Sequence, residues 1–439
     1  MNPLSQKICV IGGGPAGIGL GRELGEAGID YDLYEAEADF GGVWNTGADC
    51  GRVYPSAHLI SPKSNTQFPD FPMPDHYPDY PNHRLMLDYI RAYAREFGVY
   101  ERAIFNTPVK RITPDRSEPG QASWQVSLAS GAVKQYSAVY VCNGAQRIPR
   151  FPDPAYPGST HIPSMHSVEY RSAEQLRGKR VLIIGAGNSG CDIAIDAAHH
   201  ADKAFLSMRR AYYFQPKYID GMPTPEWMMQ LGNKFKTREE TLAYIVQVFK
   251  LAGFDGSDFG LKKPDYPLDA CHPIMNSQVL YHIGHGDIIA KDDVKTVDET
   301  GVVFTDGSRE PVDLIIYATG YRPDFSLLET DHLSWKDGLP DLFLHMMPRE
   351  FDNLFFHGYY NLAGGLGNVV KIVSQFAVDY IRARQSQSEG FKRFILSKAE
   401  DRPDLGQSYF LDSARHRWEV DMWKFISVLN QYRAMLKSD

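Results

Sequence analysis

Two runs of glycine in this 439-residue sequence have a spacing that suits phosphate binding. The runs are Gly12, Gly14 and Gly17, then Gly185, Gly187 and Gly190. In a G-x-G-x-x-G run, the first glycine makes a tight turn, the second lets the backbone approach a pyrophosphate, and the third packs a helix closely. The N-terminus of that helix presents unpaired N–H groups and the positive end of a dipole to the ligand. Each run therefore predicts a dinucleotide site.

An acidic residue closes the unit that contains the first glycine run. A strand over residues 31–34 leads to Glu35, roughly 20 residues beyond the glycines, where a partner for a ribose hydroxyl belongs. The next segment, DFGGVWN, contains two glycines that let the backbone pass under a planar ring, and a tryptophan that can stack on it. The alternative is that the glycines only pack a βαβ unit. The residues predicted at this site are Gly12, Gly14, Pro15, Ala16, Gly17, Glu35, Gly42, Val43 and Trp44.

The second unit has two arginines where the first has an acid. Its second strand ends in Ser207, and Arg209 and Arg210 follow. An acid would repel a 2′-phosphate, whereas arginine pairs with one bidentately, so this unit is predicted to prefer NADP(H) to NAD(H). The alternative is that the arginines form a solvated helix entrance. The predicted residues here are Gly185, Gly187, Asn188, Ser189, Gly190, Ser207, Arg209 and Arg210.

Composition excludes several classes of protein. A formal charge of -8 without a basic stripe argues against a nucleic-acid or anionic-membrane surface. Residues 1–6 leave no room for a signal peptide, and no apolar run approaches the ~20 residues of a membrane helix, so we expect a cytoplasmic protein. The five cysteines are scattered, which is typical of reduced thiols and offers no redox dithiol. No metal site is expected at His272, His282 and His285, because no cysteine or carboxylate completes a ligand spacing.

The elements around the motifs predict a repeated α/β architecture. Each glycine unit is followed by a strand pattern of its own, over residues 109–141 and 294–320. We therefore expect two Rossmann-like domains with three layers each (ββα), the second inserted in the first. The expected parts are residues 1–160 and 312–439 for the first domain and 161–311 for the second.

The segments outside these units are less informative. Residues 54–81 are dense in proline and aromatic residues, which indicates an ordered loop over a pocket or a plain structural loop. Asn82 is predicted to cap a helix. Residues 369–381 form an apolar helix whose N-terminus suits a negative charge. Residues 212–285 and 386–439 carry no motif.

Taken together, the motifs resemble the class B flavin monooxygenases, in their nitrogen- and sulfur-oxygenating branch. The resemblance rests on GGGPAG at 12–17, GGVW at 41–44, FPDFPMP at 68–74, GAGNSG at 185–190, LSMRR at 206–210 and ATGY at 318–321. A family signature, F-x-G-x-x-x-H-S-x-x-Y, reads here from Tyr156 to Tyr170 with a longer middle stretch. Tyr170 stands where the Baeyer–Villiger branch has tryptophan, which favours the first branch.

The resemblance implies the cofactors and the reaction. FAD would bind the first unit and NADPH the second, with Thr319 and Gly320 of ATGY added to the site. Reduced flavin would form a C4a-hydroperoxyflavin with O2 under retained NADP⁺, and would oxygenate a small molecule with a soft nitrogen or sulfur nucleophile. A homodimer is also possible.

One position departs from the family pattern. The asparagine thought to bond the flavin hydroperoxide is replaced here by Ile60, within HLISPK. An isoleucine cannot supply that hydrogen bond. Either Ser61, His58 or Asn65 compensates, or the intermediate is shorter lived, or the oxygen chemistry differs.

Two rival functions remain open at this point. The nearer is a Baeyer–Villiger monooxygenase or an NADPH oxidase on the same fold, which Ile60 makes more plausible. The more distant is a flavoprotein reductase that passes electrons to a protein partner, but the sequence shows neither a docking patch nor a dithiol. A protein that only binds nucleotides has little use for two facing dinucleotide units.

Overall fold

Two five-stranded parallel sheets organise the chain in the computed structural model, which describes residues 7–115, 123–232, 234–336, 338–413 and 415–438. The first sheet has the spatial order Leu354–Phe356, Ala138–Val141, Ile8–Ile11, Tyr31–Tyr34, Ala103–Ile104. The second has the order Ile288–Lys291, Lys203–Ser207, Arg180–Ile184, Leu314–Tyr317, Ser164–His166. In each sheet the strand before a glycine run is central, so its carboxyl end lies between two neighbours.

Both sheets have a helical layer on one face and an antiparallel meander on the other. Along the strand Ile8–Ile11, Ile8 and Val10 join the core under the helices, while Cys9 and Ile11 join the core under the meander. The strand Arg180–Ile184 divides its side chains between two cores in the same way. The meanders consist of Val109–Asp115, Ser123–Leu128, Val133–Tyr136, and of Val294–Asp298, Gly301–Phe304, Arg309–Glu310. The predicted three-layer α/β fold with two Rossmann-type units is confirmed.

The helices begin near the predicted positions. Asn82 caps the helix His83–Glu96 by accepting from the N–H groups of Arg84 and Leu85, at 3.0 and 3.1 Å. The helix over 369–381 is longer than predicted and spans Leu366–Ser386. The α-helices of the described residues are Pro15–Glu26, Lys63–Thr66, His83–Glu96, Asn188–His200, Thr224–Leu231, Arg238–Leu251, Val279–His285, Leu366–Ser386, Glu389–Glu400 and Met422–Leu436.

The remaining elements are short strand pairs and 3-10 turns. The two-stranded pairs are Phe214–Gln215 with Ile274–Met275, Tyr218–Ile219 with Met222–Pro223, Ile148–Pro149 with Tyr321–Arg322, Trp335–Lys336 with Leu339–Pro340, and Leu342–Phe343 with Met347–Pro348. The 3-10 turns are Gly42–Trp44, Tyr100–Arg102, Ser167–Glu169, Ala173–Leu176, Gly256–Phe259, Leu268–Ala270, Thr330–His332, Gln407–Tyr409 and His416–Trp418.

One strand of the second sheet lies beyond the boundary that the sequence predicts for the second domain. The strand Leu314–Tyr317 pairs with Arg180–Ile184, although the division at residue 312 places it in the first domain. It is the counterpart of Ala138–Val141 in the first sheet, because each lies beside the strand that enters a glycine run. We therefore propose that the second unit extends through residue 317.

Two expectations from the sequence concern the chain's ends and loops. Residues 1–6, on which the absence of a signal peptide was argued, lie outside the described residues. Within the described residues, none of the helices combines the length and hydropathy needed to traverse a bilayer. The loop 54–81 is mostly irregular as predicted, but it contains the one-turn helix Lys63–Thr66 directly after Pro62, where proline is tolerated.

Candidate active site

The first phosphate loop, residues 12–17, has the backbone geometry that its glycines predict. Gly12 has a φ of 108°, and a Cβ at this position would lie 2.7 Å from the carbonyl oxygen of Cys142. A Cβ on Gly17 would lie 1.9 Å from the carbonyl oxygen of Gly12. Gly14 is the N-cap of the following helix and supplies no side-chain cap. The first N–H groups of that helix are therefore left for a ligand such as a phosphate.

Glu35 and Gly42 approach this loop from the next segment. The Glu35 carboxylate accepts hydrogen bonds from the N–H of Gly13 at 2.5 Å and from the N–H of Glu37 at 2.9 Å. Burial raises the pKa of Glu35, while the two N–H donors favour its charged form. A Cβ on Gly42 would lie 2.9 Å from Gly14 Cα. The acid is thus held beside the phosphate loop, and its bond to a ribose stays a prediction.

The second phosphate loop, residues 185–190, repeats the geometry of the first. Gly185 has a φ of 104°, and its Cβ would lie 2.7 Å from the carbonyl oxygen of Ala318. A Cβ on Gly190 would lie 1.8 Å from the carbonyl oxygen of Gly185. Gly187 is the N-cap of the next helix and again supplies no side-chain cap. The backbone therefore suits one pyrophosphate in each unit, as two bound dinucleotides require.

A cavity of about 1220 Å³ lies at the carboxyl end of the second sheet. Its walls come from the second phosphate loop, the turn after Leu314–Tyr317 and the C-terminal part of the chain. The predicted site residues that line it are Ile60, Gly185, Gly187, Asn188, Ser189, Ser207, Arg209, Arg210, Thr319 and Gly320. Gly190 and the predicted residues of the first phosphate site, Gly12, Gly14, Pro15, Ala16, Gly17, Glu35, Gly42, Val43 and Trp44, do not line it.

One short segment connects the first phosphate loop to this cavity. A Cβ on Gly358 would lie 3.2 Å from the Cβ of Ala16, the residue that follows Pro15 at the start of the first helix. Three residues further along, Asn361 lines the cavity. The two phosphate sites are therefore linked through a few residues, and Ile60 adds a second contribution from the first unit to the cavity wall.

Several polar side chains predicted for the second site form hydrogen bonds with backbone groups elsewhere in the chain. The Asn188 amide donates to the carbonyl of Pro273 at 2.9 Å and accepts from the N–H of Met275 at 3.0 Å. The Ser207 hydroxyl donates to the carbonyl of Asp292 at 2.8 Å, and the Thr319 hydroxyl donates to the carbonyl of Arg150. These side chains fix the cavity wall, and any contact with a ligand would come in addition.

Five arginines line the cavity: Arg150, Arg209, Arg210, Arg322 and Arg415. Burial lowers the pKa of Arg150, and repulsion by Arg209, Arg415 and Arg210 adds to that effect. Among the described residues, none of these five guanidinium groups forms an ion pair or a side-chain hydrogen bond, and Arg210 Nε is buried without a hydrogen-bond partner. Unpaired cations gathered at one wall are the chemistry of a polyanion site.

The residues near Ile60 direct their polar groups elsewhere. The Ser61 hydroxyl bonds the hydroxyl of Thr66 at 2.7 Å, and the Asn65 amide oxygen accepts from Ser64 at 3.2 Å. The ring of His58 contacts the carbonyl of Ser56 at 2.9 Å. Ile60 lines the cavity, and these three neighbours do not. That one of these three residues compensates for the missing asparagine stays a prediction. Their placement outside the cavity lining does not favour it.

The histidines considered for metal binding are dispersed. His282 Nδ1 lies 2.9 Å from Asp287, and the rings of His285 and Tyr281 are 4.0 Å apart. His272 lines the cavity beside Glu419. A group that could bring three ligand atoms together does occur elsewhere in the described residues, at Glu329, Asp331 and His332. It is solvent-facing, and Glu329 already pairs with Arg111 at 2.6 Å.

Reasoning from the sequence missed the C-terminal wall of the cavity. Asp412, Ser413, Arg415, His416, Trp418 and Glu419 line it, although residues 386–439 carry no motif. Arg150 and Asn361 were also missed. No periodicity or spacing marks these residues, since the chain brings them to the site through tertiary packing alone.

The fold and the site together define a class of protein. Two Rossmann units with matching glycine turns meet near one cavity, and one of them presents arginines to it. This is an oxidoreductase of the two-dinucleotide type, in which one unit holds a flavin and the other a nicotinamide coenzyme.

Comparison with known proteins gives the family. The protein-family model described as "Flavin-binding monooxygenase-like" matches residues 5–433. "Flavin-containing monooxygenase 5" of Cavia porcellus is 32% identical over 438 residues, which cover 95% of this chain and 80% of that protein. "Dimethylaniline monooxygenase [N-oxide-forming] 2" of Pan troglodytes is 29% identical over 80% of this chain and 68% of its own. The chain belongs to the flavin-binding monooxygenase-like family.

Solved structures agree in fold. A flavin-containing monooxygenase from Stenotrophomonas maltophilia has a TM-score of 0.65 at 21% identity, over 86% of this chain and 98% of its own. Cyclohexanone monooxygenase has a TM-score of 0.69 at 17% identity, over 98% of this chain and 96% of its own. The protein is thus an FAD- and NADPH-dependent monooxygenase that uses O2 and a small-molecule substrate.

Proposed function

We propose that this enzyme transfers one oxygen atom from O2 to a soft nitrogen or sulfur nucleophile, such as a tertiary amine or a sulfide. NADPH supplies a hydride and solvent a proton; one oxygen atom joins the substrate lone pair and the other leaves as water. Bound FAD supplies the redox chemistry that joins NADPH to O2. The observation that carries the proposal is the pair of matching phosphate loops, the second of which borders a cavity lined by arginines that form no ion pair among the described residues.

The chain's own residues bind and orient the two dinucleotides. Residues 12–17 with Glu35 and Gly42–Trp44 would hold FAD, and residues 185–190 with Arg209 and Arg210 would hold NADPH. From the loop 54–81, the apolar side chain of Ile60 lines the cavity and offers water no hydrogen bond there. A dry wall favours oxygen transfer over release of hydrogen peroxide. No nucleophilic or acid–base dyad of the protein is needed.

Two observations support nitrogen or sulfur oxygenation over the alternatives. Tyr170 is buried, and its hydroxyl donates to Asp196 at 2.7 Å; a tryptophan, which marks the Baeyer–Villiger branch, has no hydroxyl to make this bond. A relative at 29% identity bears a name that specifies N-oxide formation. The fold itself does not decide the matter, since cyclohexanone monooxygenase shares it. A homodimer and a cytoplasmic location stay predictions of the sequence.

The test is a product analysis with the FAD-loaded protein, NADPH and air. A sulfide, a tertiary amine and a ketone are offered separately, with catalase present so that free peroxide does not oxidise the sulfide. We expect sulfoxide and N-oxide in proportion to NADPH consumed, and no ester from the ketone. Ester without sulfoxide would establish Baeyer–Villiger chemistry instead, and peroxide as the sole product, measured without catalase, would establish an oxidase.

A matched variant controls for chemistry that does not use the coenzyme site. Gly185→Val would place a side chain against the carbonyl oxygen of Ala318, 2.7 Å from its Cβ, so the second phosphate loop cannot keep its turn. We expect this variant to retain FAD and to lose both NADPH oxidation and product. Product that persists in it comes from outside the proposed site.

A further inference from the structure

A segment near the C-terminus, residues 405–421, joins the two units and forms one wall of the cavity; we name it the bridging segment, of which residue 414 is not described. On the side of the second unit, the N–H of Leu411 donates to the carbonyl of Ala270 at 3.0 Å. On the side of the first unit, the N–H of Asn361 donates to the carbonyl of Trp418 at 2.7 Å. The bridging segment is therefore fixed at both ends, with its middle over the cavity.

Arg415 of the bridging segment lies over the second phosphate loop. Its Nη1 is 3.3 Å from the position of a Cβ on Gly187, the residue that begins the helix after that loop. The N-terminus of this helix has no side-chain cap, so its N–H groups and the guanidinium face the same space. A guanidinium beside exposed N–H groups offers a second set of donors to the same phosphate.

Two more side chains of the bridging segment present buried polar atoms at the cavity wall. Glu419 is 1% exposed, and its Oε1 lies 3.1 Å from His272 Nδ1 without hydrogen-bond alignment. His416 is 3% exposed, and its Nε2 has no partner, while its Nδ1 contacts the hydroxyl of Ser413 at 2.7 Å. Buried polar atoms without partners are costly, so a ligand with hydroxyl groups would satisfy both.

The electrostatics of these residues are consistent with a bound ligand. Burial acts to raise the pKa of Glu419, but His272 and Arg415 hold it below its ordinary value, so the side chain is a carboxylate acceptor. Burial and the charge of Arg415 lower the pKa of His416 to about 4, so its ring is neutral near pH 7. The wall thus offers one cation, one acceptor and one neutral ring.

We propose that the bridging segment completes the NADPH site, with Arg415 binding the pyrophosphate, and Glu419 together with His416 binding the hydroxyls of the nicotinamide ribose. This inference rests on the proposed assignment of the second unit to NADPH. It separates the arginines of the cavity by role: Arg209 recognises the 2′-phosphate, and Arg415 binds the pyrophosphate, which NAD⁺ also has.

The test measures binding of dinucleotides to the FAD-loaded protein by calorimetry, in the absence of substrate. Arg415→Met should raise the Kd for NADP⁺ and for NAD⁺ by a similar factor, roughly 10- to 100-fold, because a charge-assisted bond to a common group is lost. Arg209→Met should raise the Kd for NADP⁺ and leave that for NAD⁺ nearly unchanged. Arg417→Met, two positions along the chain and outside the cavity lining, is the charge-matched control.

The role of the carboxylate is tested with a truncated ligand. Glu419→Gln should raise the Kd for NADP⁺ and NAD⁺ severalfold and leave the Kd for 2′,5′-ADP, which lacks the nicotinamide ribose, unchanged. Circular dichroism and FAD content, compared with the wild type, show that each variant is folded. Equal weakening of 2′,5′-ADP and NADP⁺ by this substitution would contradict the ribose assignment.

The remaining outcomes separate this inference from the proposed function. Unchanged affinities in Arg415→Met, or a loss no larger than in Arg417→Met, would overturn the role of Arg415. A loss for NADP⁺ alone would place Arg415 at the 2′-phosphate and overturn its assignment to the pyrophosphate. If the wild-type protein binds neither dinucleotide, the coenzyme assignment itself fails, and the inference fails with it.

Discussion

Ile60 is the single residue whose type departs most from what its place in the site requires. It lines the cavity, where the resembling family has an amide that can donate a hydrogen bond. Its polar neighbours are engaged away from the cavity, with Ser61 bonded to Thr66 and Asn65 to Ser64. The local sequence therefore provides an apolar wall and no donor at this point.

The missing hydrogen-bond donor at Ile60 predicts that part of the NADPH consumed yields hydrogen peroxide. Ile60→Asn should lower the peroxide formed per NADPH severalfold and raise the oxygenated product correspondingly, since a hydrogen bond between neutral groups contributes about 0.5–1.5 kcal/mol. The measurement is peroxide and product per NADPH with a sulfide substrate. Ile60→Leu keeps the volume without a donor and should behave as the wild type. An unchanged peroxide yield in Ile60→Asn would show that the missing amide is not what limits coupling.

At the scale of elements, the glycine turns and the strands that flank them could be predicted from the sequence. Both turns depend on contacts of the backbone with itself, such as Gly17 against the carbonyl of Gly12, and only glycine allows them. The strand predicted over residues 31–34 agrees at both ends with the observed strand Tyr31–Tyr34. Local chemistry thus determined these elements before any tertiary contact was known.

The bridging segment could not be predicted for the opposite reason. Its cavity residues, including Arg415 and Glu419, come from short irregular stretches and one turn, so no period of apolar residues marks them. Their position depends on bonds to distant residues such as Asn361 and Ala270. The end that we propose for the second unit, residue 317, likewise rests on a long-range contact, the pairing of Leu314–Tyr317 with the second sheet.

The loop before the long helix Leu366–Ser386 offers a test at this scale. A Cβ on Gly365 would lie 1.2 Å from the carbonyl oxygen of Asn65, so this loop packs backbone to backbone against the segment that follows Ile60. Gly365→Ala must displace one of the two segments, and we expect a loss of about 1–3 kcal/mol in stability with weaker FAD retention. Thermal denaturation and release of flavin fluorescence measure both effects.

A matched glycine controls for the substitution itself. Gly25 lies in the helix Pro15–Glu26, and a Cβ there would meet nothing within 4 Å. Gly25→Ala should stabilise the protein by about 0.5–1 kcal/mol, as alanine does in helices. If Gly365→Ala proves as harmless as Gly25→Ala, the close approach of the two segments is not a constraint on the site.

At the scale of the whole molecule, the two units are joined by carboxylates on the helix Asn188–His200. The Tyr54 hydroxyl, from the loop of the first unit, donates to Asp192 at 3.0 Å, and the Ser56 hydroxyl donates to Asp196 at 2.6 Å. Tyr54 is buried in the core of the second unit. The loop that carries Ile60 is therefore attached to the coenzyme unit through partly buried hydrogen bonds.

One of these carboxylates makes the attachment depend on pH. Burial raises the pKa of Asp192 from its ordinary 3.8 to about 6, while hydrogen bonds from Tyr54 and Asn276 and the charge of Lys217 act against the shift. Between about pH 4 and pH 6 the folded protein holds a proton that the unfolded chain has released. The contribution of protonated Asp192 to the free energy of unfolding is therefore fully present below pH 4 and is lost as the pH rises through 6.

Asp192→Asn should remove this dependence, because an amide stays neutral at every pH. The shift from 3.8 to about 6 corresponds to on the order of 3 kcal/mol. We expect the melting temperature of Asp192→Asn, relative to the wild type, to increase between pH 4 and pH 7, measured on FAD-loaded protein at constant ionic strength. Asp202→Asn, exposed just beyond the same helix, controls for net charge. A difference in melting temperature that is constant over this range would mean that Asp192 is not buried as an acid at the junction of the two units.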